Sequence, residues 1–275
     1  MDSESLGFDI DTVRSWFSAE ERDTYTLVTV SDADADHWVD ALSALVRRCY
    51  LSDATVVERA DALGLEHSEV VAAHLPDPGS VMSGDFGEIV VYLYQAAELS
   101  PVVGPKKWRL KQDRTKPAPY SDVVQFRLPA WPEFGDQDTV VCSEVKTKAT
   151  AGAWEPIGAS IKDCGKDRTS RLTQTLAWLR DRAIGEDVDD VDLGVLNRFI
   201  RTDERPPSTR LFRAVSVIRS DLVQDQLAYV PEVPPEGFSV LVVSFPDLRQ
   251  VYAAVFESAV ESGIGLESGI GGGSA

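Results

Sequence analysis

Histidine and cysteine are scarce in this chain, three of each among 275 residues, and neither clusters. Cys49, Cys142 and Cys164 are odd in number and far apart, which excludes a disulfide framework and a zinc knuckle. His37, His67 and His74 lie away from them and offer no ligand set. No apolar run approaches the ~20 residues a bilayer crossing needs, and the acidic start Met1-Asp2-Ser3-Glu4-Ser5 lacks the basic flank of a secretion signal. A reduced, cytoplasmic protein is the expectation. Lysine is short as well, with eight against nineteen arginines, and all eight fall between residues 106 and 166.

What remains is acidic and rich enough in apolar residues for a core, 43% hydrophobic with a net charge of −18. Such a charge argues against a nucleic-acid partner, because phosphate binding draws on positive surface. Its distribution argues otherwise. Residues 106–182 hold fifteen Lys and Arg against ten Asp and Glu, while the rest holds twelve against thirty-five. A basic middle third sits inside an acidic protein.

Within that third, Asp138-Thr139-Val140-Val141-Cys142-Ser143-Glu144-Val145-Lys146-Thr147 reads as a buried strand with charge only at its ends. Side chains alternate along a strand, so Cys142, Glu144 and Lys146 project to one face and Val141, Ser143 and Val145 to the other. A carboxylate and an ammonium thus stand side by side. They can serve as a rim salt bridge, or the carboxylate can hold a divalent cation while the lysine orients or deprotonates a water. No other lysine of the chain has an acid two residues before it.

The flanking segments supply partners for that strand. Tyr120 to Leu128 reads as a second strand with Asp122 at its start, and the short Pro- and Gly-containing loop 129–137 makes a hairpin that faces Asp122 toward Glu144. Upstream, Ser83-Gly84-Asp85-Phe86-Gly87-Glu88 leads into an apolar run that predicts a buried helix, where Asp85 and Glu88 either favour the helix N-terminus or demand a cationic partner. Between them Pro105 to Lys116 carries six basic residues, Lys106, Lys107, Arg109, Lys111, Arg114 and Lys116, around Trp108. It reads as a strand, either solvated or forming a phosphate-contacting rim. Lys148, Lys162 and Lys166 extend the positive set downstream, on the strand end and on a long helix over 157–183 with Leu172, Leu176, Leu179 and Ala183 as its apolar stripe.

The remaining pattern is that of an α/β protein. A short amphipathic piece surrounds Val13, Trp16 and Phe17, and a strand covers 25–30. A helix capped by Ser31 or Asp32 carries Trp38, Leu42, Leu45, Val46 and Cys49, and another spans 53–63. An acidic loop over 186–192, a helix over 193–201, strands at 211–218 and 238–245 and a last helix over 247–261 complete it. A tail from 263 has six glycines in thirteen residues. The expected division is a strand and helices over 1–80 packed on a core over 81–262, with the tail 263–275 flexible.

Glu88 on a helix, Asp122 at a strand start and Glu144-Val145-Lys146 with a basic helix behind resemble the PD-(D/E)xK nuclease superfamily. With Gly84-Asp85-Phe86-Gly87-Glu88 the pattern is similar, more narrowly, to the HamA-like nuclease subunit of Hachiman anti-phage systems. The resemblance implies a restriction-endonuclease-like mixed sheet flanked by helices and a Mg²⁺- or Mn²⁺-dependent phosphodiesterase acting on DNA. Asp122, Glu144 and the main-chain carbonyl of Val145 would bind the ion, Lys146 would position the water, and Glu88 would complete the shell or that of a second ion, with Asp85 the alternative first acid. It also implies control by a helicase (HamB-like) subunit. Two other readings stand beside it: an inactive subunit that only binds nucleic acid or a partner, and an enzyme of the same fold acting on RNA.

Overall fold

A computed structural model describes residues 6–185, 191, 193–200 and 205–262. The acidic stretch 186–192, Val191 apart, and the tail 263–275 lie outside the described residues. Chain order begins with α1 (Ile10–Ser15), β1 (Phe17–Glu21), β2 (Thr26–Val30), α2 (Ala35–Tyr50), α3 (Asp53–Leu63), α4 (His67–Ala72) and α5 (Ser80–Leu99). It continues with β3 (Val123–Arg127), β4 (Thr139–Lys148), α6 (Pro156–Lys166), α7 (Leu172–Gly185) and α8 (Leu193–Ile200). The last elements are β5 (Thr209–Arg219), α9 (Val223–Leu227), β6 (Ser239–Phe245) and α10 (Leu248–Glu261).

Local chemistry sets the boundaries. Asp34, not Ser31 or Asp32, caps α2 by accepting from the His37 N–H, and Ser52 caps α3 by accepting from the Thr55 N–H. Gly64 ends α3 in the left-handed region at φ 65°. Two elements depart from the expectation. Phe17–Glu21 forms an edge strand that is largely exposed, so its residues lack the alternation that marks a strand. The basic segment is no strand either: Lys107–Leu110 is a 3₁₀ turn, and the isolated Val103–Phe126 bridge just before it extends the sheet only by one residue pair.

Among the described residues the strands form one mixed sheet in the order β1-β2-β6-β5-β4-β3. β2, β6, β5 and β4 run parallel, and β1 and β3 are antiparallel edges. The N-terminal strands therefore belong to the same sheet as β4. Helices α2, α5 and α10 cover one face with Val123, Val145, Val215 and Val243 beneath them; α6, α7 and α8 cover the other over Val124, Phe126, Cys142 and Ala214. Because both faces are covered, β4 is buried on both sides from Val140 to Val145, which explains its valines at 140, 141 and 145. No described helix is long and apolar enough to cross a membrane, and all three cysteines are buried free thiols.

A buried ion pair anchors the start of β4. Arg198 Nε donates to Asp138 Oδ2 at 2.5 Å, and its Nη2 donates to the carbonyls of Gly135 and Pro207. The Asp138 carbonyl in turn accepts the Thr209 N–H at the start of β5. At the other end Gly87 of α5 packs against β4 so closely that a Cβ there would sit 2.0 Å from Thr147 Oγ1. Gly87→Ala is therefore expected to destabilise the protein by about 1–3 kcal/mol in urea unfolding, despite the better helix propensity of alanine, because overpacking outweighs it.

Candidate active site

The β3/β4 hairpin pairs Val123 with Ser143, and the next step along it brings Asp122 beside Glu144. Asp122 Oδ2 accepts the Val145 N–H at 2.8 Å, which ties the carboxylate to β4. The alternation holds: Val145 lies in the core under α5, while Cys142 lies in the core under α7, so Glu144 and Lys146 face α6. Lys146 Nζ donates to Glu144 Oε1 at 2.6 Å and lies 3.1 Å from Asp163 Oδ2 on α6. Glu144 is 2% exposed, and its second oxygen accepts from Arg171 Nη1 at 2.5 Å.

Arg171 arrives there on an irregular turn. Between α6 and α7 residues Asp167–Arg171 wind as a π-helix, with the Leu172 N–H bonded to the Asp167 carbonyl. Asp167 Oδ1 accepts from Ser121 Oγ at 2.8 Å and lies 3.5 Å from Arg171 Nε, and its Oδ2 is buried with no partner. Ser121 precedes Asp122, so the π turn touches both the hairpin and Glu144.

Behind Asp122 lies a second buried set. Lys107 Nζ donates to the Ser121 carbonyl, and the Trp108 indole N–H donates to Glu88 Oε2 at 3.1 Å. Asp85, one turn before Glu88, pairs with Lys111 and accepts from the Tyr50 hydroxyl. Asp85 and Glu88 are thus the partnered acids that a buried helix requires, with the segment 107–111 supplying the partners.

Acids outnumber the cations at the centre, and the titration behaviour follows. Burial first, then the charges of Asp122 and Asp85, push Glu88 well above the usual carboxylate range. Burial and then the Glu144 charge lift Asp122 to about 7, and the same two causes lift Asp167 to about 7. Burial works to lower Lys146, yet the bond to Glu144, the charges of Glu144 and Asp122 and the bond to Asp163 together outweigh it and hold the ammonium above its ordinary value. Lys146 is therefore protonated at neutral pH. It can orient a water or steady a negative charge, but it does not serve as a base there.

Hard oxygen donors that repel one another suit a divalent cation, and the carboxylate pair Asp122 and Glu144 fits one by that criterion. Among the described residues, however, no three His, Cys, Asp or Glu side chains are gathered as a ready metal cage. Glu88 is held by Trp108, and both oxygens of Glu144 are bonded to cationic side chains.

The phosphate-contacting rim needs correction. Lys106 and Lys107 are 3% and 2% exposed, and the Lys111 side chain is buried against Asp85. Arg109 donates to the Arg48 carbonyl, and Lys148 is buried with its ammonium on the carbonyls of Gly152 and Trp154. An ammonium enclosed by acids and carbonyls is solvated by the protein and has no face left for a phosphate. Of the expected contacts only Lys162 and Lys166 on α6 stand at the surface, Lys166 bonded to Asp163 at 2.5 Å.

Asp163, Asp167 and Arg171 join this site without standing among the candidate residues of the sequence. The signal was present in the spacing. Ile157, Ser160, Cys164, Asp167, Leu172, Leu176 and Leu179 are all buried, at steps of three and four save one step of five from Asp167 to Leu172. That step marks the π turn and turns a charged residue inward.

Comparison with known proteins decides the kinship: the HamA family model matches residues 9–259, nearly the whole chain. The chain belongs to the HamA family. Membership places it among HamA-like proteins of the Hachiman system, with a role in defence against phage. The match runs from the start of α1 into α10, so it takes in β1 and β2 as well as β4. No curated protein matches the chain.

The charge excess at Asp167 has a measurable sign. Its folded pKa near 7 lies above the ordinary 3.8, so the folded state retains a proton that the unfolded state loses between those values. Metal-free stability from this group is present below about pH 4 and is lost as pH rises to about 7. Asp167→Asn keeps an acceptor for Ser121 and removes the charge. It is expected to raise stability at pH 8 by about 1–2 kcal/mol with EDTA present, and to have a smaller effect at pH 5, in thermal melts.

Proposed function

We propose that the chain is a metal-dependent nuclease that hydrolyses phosphodiester bonds, with DNA as substrate, and acts as the effector of its defence system. The observation that supports this best is the meeting of Asp122, Glu144 and a protonated Lys146 at the α6-facing end of β4. Asp122 and Glu144, with the main-chain carbonyl of Val145, would hold Mg²⁺ or Mn²⁺, which supplies Lewis-acid polarisation of a phosphate oxygen and a more acidic water. Lys146 orients the attacking water toward phosphorus and balances the charge that develops on the phosphate. Glu88 stands behind the pair as a third acid, which would complete the shell of that ion or of a second one. Lys162 and Lys166 are placed to touch the nucleic-acid backbone.

Before Glu144 can take a cation, Arg171 has to release it. This observation favours one further reading, that of a subunit held inactive unless a partner rearranges the π turn. A helicase subunit (HamB-like) is the partner we propose, and RNA is the alternative substrate.

Purified protein with plasmid DNA and Mg²⁺ tests the assignment. Lys146→Ala and Glu144→Ala are each expected to lower cleavage about 100-fold or more, with the Asp122→Ala variant similar. Undiminished cleavage by Lys146→Ala would sink the proposed chemistry. Cleavage that appears only when the helicase is added would show the held state.

A further inference from the structure

A cleft of about 540 Å³ opens at the end of β4, lined by Ser83, Gly84, Lys146, Thr147, Trp154 and Tyr252. Ser83 and Gly84 come from α5, Tyr252 from α10 and Trp154 from the loop that follows β4. Trp154 is 48% exposed. An indole so open to water does little for the core, and its loop is held for some other reason.

The hold is specific. Lys148, 4% exposed, reaches back from β4 and donates to the carbonyls of Gly152 at 2.7 Å and of Trp154 at 2.5 Å. One buried ammonium thus fixes the loop two residues beyond Lys146 and presents the indole on the wall of the cleft. Gly84 and Gly152 leave open space beside the cleft, since a Cβ at either would meet nothing within 4 Å.

We propose that Trp154 is a stacking platform for an unpaired nucleobase next to the scissile phosphate, so that single-stranded or frayed nucleic acid is the preferred substrate. The inference rests on the nuclease reading: the cleft meets the proposed site only at Lys146, whose ammonium lies on Glu144 and Asp163, and Trp154 stands on the loop that leads from β4 into α6. Stacking is the fitting source of affinity here. With Lys106, Lys107, Lys111 and Lys148 turned inward, few backbone contacts remain, whereas every base offers a π face to an indole. Tyr252, half-buried in the wall of the same cleft, is a second ring for the base to meet. Trp154 touches the substrate in this scheme and takes no part in the chemistry.

The test measures binding apart from cleavage. A Lys146→Ala protein in EDTA is titrated with a labelled single-stranded oligonucleotide, with the same strand carrying abasic positions, and with blunt duplex. Trp154→Ala is expected to weaken single-strand binding about 10-fold or more, Trp154→Phe to restore most of it, and duplex binding to stay within about 2-fold. Abasic positions are expected to weaken the protein with Trp154 intact and to leave Trp154→Ala unchanged, a difference that a merely structural tryptophan would not produce. Single-strand binding unaffected by Trp154→Ala, or equal losses with duplex, overturns the proposal. The nuclease reading fails separately: a protein that binds strands through Trp154 and never cuts them with Mg²⁺, alone or with the helicase, sinks that reading, while cutting without any dependence on Trp154 sinks only this one.

Discussion

Glu144 is a carboxylate with almost no access to water, and a buried charge has to be answered by opposite charge or by hydrogen bonds. Lys146 answers one oxygen and Arg171 the other. Much of the local architecture follows. Lys146 comes from the same strand face, two residues on, at no topological cost. Arg171 has to be delivered by a helix packed across the parallel β4/β5 pair, and that helix also brings Asp163 and Asp167, whose charges need cations in turn. The hairpin contributes Asp122, so four acids crowd one end of β4. Burial first, and then the charge of Glu144, lift both Asp122 and Asp167 to about 7.

The sheet and its covering helices were largely readable from pattern. β4, β5 and β6 each carry a mostly buried stretch rich in valine because both faces are covered, and the α10 stripe of Leu248, Val251, Val255 and Phe256 repeats at helical spacing. The Asp122 to Glu144 approach was readable too, since a short loop and strict alternation leave few registers. Three things escaped. β1 is an exposed edge with no apolar face to announce it. The segment 105–116 looked like a strand or a rim because composition does not tell which way a lysine points. The π turn escaped because it breaks a period that helix reading assumes to be regular.

The lysines make the limit of charge arithmetic plain. The basic middle third implied positive surface, yet most of its lysines neutralise or bridge groups inside the molecule: Lys111 on Asp85, Lys107 on the Ser121 carbonyl, Lys146 on Glu144 and Asp163. Their ammonium groups answer acids that the same sequence buries. Because the acids they answer are withdrawn from the surface with them, the segment sums say little about the charge of the exterior.

The five-residue step between Asp167 and Leu172 has a mechanical consequence. An extra residue in one turn offsets the angular phase of everything after it, so α6 and α7 present different azimuths to the sheet though they form one rod. α6 aims polar groups at the mouth of the hairpin, and α7 aims leucines at its apolar floor. Were the winding to relax to ordinary α, one of those two seatings would have to slip, and the guanidinium at 171 would swing away from its carboxylate. A small torque on the far end of α7 is thus a lever on the ionic contact at the heart of the molecule.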